Sequence, residues 1–162
     1  MKQDKSTRTQ LQQEPITGKE NFDKGSPHQA LAEFYKAFNQ RDSTLMAKNW
    51  YQSDNTAMDN PLGGIKRGWT EIGSVYDKIF KGPAEVYVEF YDYSLHEFQD
   101  CFYAVGREHG HITVAGEQLE LAIRTSRIYQ HVQGEWKQVH HHGSIENPKL
   151  LQQYQNLVLN QN

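Results

Sequence analysis

Apolar residues recur along this chain with two different periods, and the change of period divides it. Leu31, Phe34, Tyr35 and Phe38 fall at i, i+3, i+4 and i+7, which is one face of a helix. Ser26 followed by Pro27 predicts its start, with a hydroxyl to cap the first turn and a proline where a missing N–H costs nothing. Asp42 or Ser43 opens a second short helix carrying Leu45, Met46, Asn49 and Trp50 on one face. Ile72, Val75, Tyr76, Ile79 and Phe80 predict a third over 69–81, with Gly82 as its left-handed stop and Pro83 behind it. From residue 84 the pattern becomes that of strands. Residues 85–98, 101–113, 118–132 and 135–144 are rich in Val, Ile, Tyr and Phe and are separated by the turn signals Gln99-Asp100, Ala115-Gly116-Glu117 and Gln133-Gly134. Residues 56–59 read as a further short strand, broken by the turn cluster from Asn60 to Gly64.

Helices followed by a meander of hairpins predict an α+β domain, three N-terminal helices packed in a curved antiparallel sheet. Residues 1–25 hold few large apolar side chains and read as a flexible polar tail. Residues 26–147 form the domain, and 148–162 a Gln-rich amphipathic tail helix with Leu150, Leu151, Tyr154, Leu157 and Val158 on one side.

Composition narrows the partners. At 162 residues there is room for one domain and one sizeable core. Mean hydropathy is −0.84 although aromatics make up 12%, which points to an aromatic core between polar ends. Net charge is −3 with scattered Lys and Arg, so neither nucleic acid nor an anionic membrane surface is expected as a partner. Cys101 is the sole cysteine, and the N-terminus lacks the apolar run of a signal peptide; a cytoplasmic location is the expectation.

The ending Trp136-x-x-Val139-His140-x-His142-x-Ser144, with Pro61 and Gly68 ahead of the third helix and Arg127-Ile128-Tyr129 seven residues before Gly134, resembles the nuclear transport factor 2-like superfamily in its SnoaL-like and ketosteroid-isomerase-like branch. The Arg127 spacing also resembles the association domain of calcium/calmodulin-dependent kinase, a branch of the same fold. The resemblance spans about Pro27 to Asn147. It implies a cone-shaped domain, a pocket between helices and concave sheet with Arg127 and His142 pointing inward, and a homodimer through the outer sheet face, where Val139, Ile128 and Val132 would lie. Gln138 stands where many relatives carry an apolar residue, and no carboxylate stands beside a clean aromatic pair as in a steroid isomerase. The fold hosts isomerases, dehydratases and purely binding or associating proteins, so it does not select among them.

Strict alternation along 136–144 puts Trp136, Gln138, His140, His142 and Ser144 on one face and Lys137, Val139 and His141 on the other. His140 or His142 then offers a general base near neutral pH, weighed against a hydrogen-bonded role in a polar core. Asp59, ending its short strand before the Pro61 turn, is the candidate carboxylate base, weighed against an Asx-type turn role. Arg127 and Arg107 each end an apolar strand face and would fork onto a ligand carboxylate, or else onto an internal acid such as Asp59 or Glu89. Trp50, Tyr76, Tyr103, Tyr129 and Trp136 are candidate aromatic walls, or plain core. Two strand histidines need a third ligand, and Asp59, His109 and His111 stand at no recognisable ligand spacing, so no metal is expected. Gly63-Gly64 lacks the Walker lysine pattern, and no cofactor is expected. The expected function is a pocket for a small, partly apolar, carboxylate- or carbonyl-bearing molecule, with isomerase- or dehydratase-type proton transfer as the chemistry; the alternative is a non-catalytic binding or association module.

Overall fold

The computed structural model describes residues 14–159. Helix α1 (Pro27–Asn39) is capped by Ser26, whose Oγ accepts from the Gln29 N–H at 3.1 Å, and α2 (Ser43–Asn49) by Asp42, which accepts from the Leu45 N–H at 2.9 Å. Short strands β1 (Ala57–Asp59) and β2 (Lys66–Arg67) lead into α3 (Gly68–Lys81). Gly82 ends α3 in an extended conformation (φ −77°), not the left-handed one expected; it is small because a Cβ there would lie 2.9 Å from the Lys78 carbonyl oxygen.

Strands β3 (Glu85–Glu97), β4 (Cys101–Val114), β5 (Glu117–Val132) and β6 (Glu135–Ser144) follow as an antiparallel meander. Ala115-Gly116 and Gln133-Gly134 hold positive φ at both positions (50°, 83° and 51°, 82°), as two-residue hairpin turns require. The sheet order is β2-β1-β6-β5-β4-β3, and β1 joins β6 in parallel, pairing Asp59 with His142. Helix α4 (Pro148–Leu159) is capped by Asn147, whose Oδ1 accepts from the N–H groups of Lys149 and Leu150. None of the described helices is long and apolar enough to cross a membrane.

Two irregularities bend the sheet around the helices. Between Tyr91 and Ser94 the β3–β4 register shifts, with Asp92 at φ 46°. Between Ile128 and Tyr129 the β5 partner jumps from His140 to Gln138, leaving Val139 as an extra residue in β6. On the concave side sit Leu31, Phe34 and Tyr35 of α1, Ile72 and Tyr76 of α3, and Phe90, Phe102, Ala104, Leu121 and Tyr129 of the strands, all buried.

Residues 14–25, expected as part of a flexible tail, pack against the fold instead; residues 1–13 lie outside those described. Ile16 is fully buried and exchanges both backbone hydrogen bonds with Phe90, at 2.8 and 2.9 Å. The same β3 edge is met at Val88 by the Asn39 carboxamide, which donates to its carbonyl at 2.9 Å and accepts from its N–H at 3.0 Å. Farther along, Arg41 donates to the Ala84 carbonyl at 2.6 Å.

Candidate functional site

The extra residue at Val139 decides which histidines face the cone. Gln138 points inward opposite Tyr129, two consecutive residues then stand on the outer side, and His141 turns in opposite Arg127. His140 and His142, expected inside, therefore lie on the outer sheet surface, opposite Ile128 and Ser126, while His141, expected outside, is buried. Strict alternation fails at one position, and every histidine beyond it changes face.

Outside, Asp59 sits between the two outer histidines. Its Oδ2 is 2.6 Å from His142 Nδ1, and its Oδ1 is 3.8 Å from His140 Nε2, too long for a hydrogen bond. His140 Nδ1 lies 2.9 Å from the Ala57 carbonyl, a contact in which the ring nitrogen donates. The side chains of Asp59 and His142 are 36% and 50% exposed, so this cluster is a surface feature. Among the described residues no group of three or more His, Cys, Asp or Glu side chains is placed to hold a metal ion.

Inside, Arg127 is 2% exposed and each of its three nitrogens donates a hydrogen bond. Its Nη2 donates to Glu108 Oε1 at 2.9 Å, Nη1 to Gln138 Oε1 at 2.9 Å and Nε to the Tyr35 hydroxyl at 3.4 Å, while its Cζ lies 3.5 Å from the centre of the Phe34 ring. Tyr35 donates to Glu108 Oε1 at 2.7 Å, and the Gln138 amide donates to Asn49 Oδ1, which also accepts from Tyr129. Burial opposes the charge on Arg127, but Tyr35 and Glu108 hold its pKa above the ordinary value. The internal-acid alternative thus describes Arg127, with Glu108 as partner in place of Asp59 or Glu89.

Glu108 escaped the sequence reading because β4 carries apolar residues on both faces. The inward set is Phe102, Ala104, Glu108, Ile112 and Val114; Tyr103, Val105 and Arg107 face outward. A lone acid in an otherwise apolar inward set was the available signal. Arg107 consequently pairs with Asp92 at 3.4 Å and Glu146 at 3.2 Å in solvent, and Tyr103 stacks on His96 with ring centres 4.4 Å apart.

Of the remaining expected wall residues, Tyr76 borders an inner cavity of about 50 Å³ together with Arg127, Glu108, His141 and Tyr154. Trp50 and Tyr129 are core, the latter stacked on Phe102 with ring centres 4.7 Å apart. Trp136 donates from Nε1 to the Gly25 carbonyl at 3.1 Å and packs edge-on to Phe102, away from the cavity.

His141 is the residue of chemical interest in that cavity. Its Nδ1 donates to the Ser126 carbonyl at 3.2 Å, which fixes the neutral tautomer and leaves Nε2 as an acceptor; among the described residues no hydrogen-bond partner meets Nε2. Burial first, and the Arg127 charge next, hold its pKa well below the ordinary imidazole value. Gly143 lies beside it, where a Cβ would stand 3.2 Å from Nε2.

A wider groove of about 400 Å³ opens between α3, the β1–β2 loop and α4. Met58, Asn60, Ile79, Val86 and Tyr154 border both spaces, so these five side chains separate the inner cavity from the groove. The C-terminal helix therefore covers the open end of the cone through Tyr154, which is 7% exposed.

The family profile of the SnoaL-like domain matches residues 28–148. No curated protein matches the chain in sequence. Among solved structures, a candidate calcium/calmodulin-dependent protein kinase type II association domain from Thiobacillus denitrificans is 23% identical, covering 75% of this chain and 96% of that one with a TM-score of 0.62. A candidate dehydratase of the NTF2-like family from Streptomyces avermitilis is 16% identical over 73% of this chain and 93% of its own, with a TM-score of 0.64. A ketosteroid isomerase-like protein from Erwinia carotovora atroseptica is 18% identical over 74% and 92%, with a TM-score of 0.62. At these identities the likeness establishes the nuclear transport factor 2-like cone and nothing finer.

Proposed function

Since the chain belongs to the SnoaL-like domain family, whose cone leaves one end of the sheet open, we propose that it binds a small molecule with an apolar body in the groove between α3 and α4. One observation carries this reading. The groove measures about 400 Å³, within the roughly 300–1,000 Å³ of small-molecule pockets, and is floored by Met58, Leu62, Val75, Ile79 and Val158. The experiment is a thermal-shift screen of aliphatic and aryl alcohols, ketones and carboxylates against the wild type and Val75→Trp, which fills the groove. Compounds that bind only the native state raise the melting temperature by mass action, and the rise is expected to vanish in Val75→Trp. A screen without hits, or hits indifferent to the substitution, would sink the reading.

A catalytic reading is favoured by His141 rather than by Asp59, His140 or His142, which border neither space. In it, a ligand's carbonyl end passes Tyr154, His141 Nε2 accepts a proton from the carbon next to the carbonyl, and the same imidazolium returns it to a neighbouring atom or to a leaving hydroxyl. The likeness to proteins described as a dehydratase and a ketosteroid isomerase-like protein supports looking for this chemistry. Its test is deuterium exchange at that carbon, with a carbonyl-bearing hit dissolved in D₂O. His141→Gln is expected to abolish exchange while the melting-temperature rise persists; exchange at the wild-type rate in the variant removes His141 as the base.

A further inference from the structure

The groove's charges select its ligand, an argument that rests on the binding reading above. Among the described residues two ionisable side chains other than Tyr154 border the groove, and both are lysines: Lys66 from β2 and Lys78 from α3. Among the described residues no acid borders it, in a chain whose net charge is −3. The acids of α3 are turned to other tasks. Asp77 accepts from the Ser43 hydroxyl at 3.0 Å on the side facing α2, and Glu71 accepts from the Arg67 N–H at 2.8 Å at the helix start. The arginines of β4 and β5, Arg107, Arg124 and Arg127, are each ion-paired, whereas among the described residues neither Lys66 nor Lys78 has an acidic partner within 4.0 Å.

We propose that the groove binds an amphipathic monoanion, a medium-chain or arylalkyl carboxylate, with its apolar body along Met58, Val75, Ile79 and Val158 and its carboxylate at Lys66 and Lys78. The lysines suit this role as flexible, strongly hydrated point charges. Both are exposed, so they select the head group and hasten encounter while the apolar floor supplies most of the affinity. Asn60, also on the lining, has a carboxamide NH2 to offer the carboxylate's other oxygen, its Oδ1 accepting from the Leu62 N–H at 3.1 Å.

The test compares decanoate, below its micellar concentration, with decanol, by calorimetric titration of the full chain. The wild type is expected to prefer decanoate. Lys66→Gln and Lys78→Gln should each weaken decanoate about 1.5- to 5-fold, as exposed ion pairs do, and leave decanol unchanged; added salt should act like the substitutions. Equal binding of the two probes with inert lysine variants overturns the anion inference and leaves the apolar pocket standing. Absence of binding by both probes overturns the pocket as well. If Val75→Trp instead changes the sedimentation of the protein and neither probe binds, the groove is occupied by a second copy of the chain and the proposal fails.

Discussion

Arg127 stays charged and is almost wholly buried, so the cost of burying its charge is offset by its protein partners. Removing it by Arg127→Ala leaves Glu108 buried without its cation, and a loss of about 3–5 kcal/mol is expected from the shift of the urea midpoint. Replacing both by apolar residues, Arg127→Met with Glu108→Leu, should recover much of that loss, because a buried pair costs desolvation that hydrophobes do not. That a buried arginine at this position needs an acid was legible from its place on the Leu121-Ile123-Thr125 face; which acid was not, since the partner stands on a strand whose two faces look alike in sequence. His141 makes a second residue-scale prediction. The native state keeps it neutral where the unfolded chain protonates it near 6.5, so the unfolded state binds more protons and stability falls as pH drops below that value, down to the depressed native pKa. His141→Gln should flatten the pH dependence of the melting temperature on the acid side of neutrality; an unchanged slope would assign the effect to other histidines.

Elements whose signals are local were legible. Caps at Ser26 and Asp42, the helical spacing of Ile72 to Phe80 and the hairpin glycines at 116 and 134 stand within a turn of the structure they specify, and they appear where their patterns put them. The bulges do not announce themselves, because an extra residue in β6 is fixed by what β5 and the helices pack against it, not by Val139 itself. That one residue carried the histidine assignment to the wrong face. Glycine separates two further causes at this scale. At Gly110 a Cβ would stand against the Tyr87 carbonyl oxygen, where backbone cannot yield, whereas at Gly116 there is open space but φ is +83°. Gly110→Ala is therefore expected to cost more than the roughly 1–2 kcal/mol of left-handed strain at Gly116→Ala, measured as paired chemical denaturations. The reverse order would show that the strand can bend away.

At the scale of the molecule, the outer sheet face presents Val105 and Ile128 at 42% and 38% exposure. A homodimer through this face predicts that Ile128→Asp halves the sedimenting mass without lowering the melting temperature of the monomer; an unchanged mass would leave the face to solvent. The edge of β3 has a different consequence. Ile16, Asn39 and Arg41 occupy backbone groups at Phe90, Val88 and Ala84 that would otherwise template another strand. The family match begins at residue 28, beyond Ile16. A gene trimmed to that boundary would keep Asn39 and Arg41 on their backbone groups yet free the N–H and C=O of Phe90, an open stretch of strand edge where another chain can pair, and is expected to aggregate where one begun at residue 14 stays dispersed; the practical limits of this domain are drawn by its unpaired amides, not by its helices.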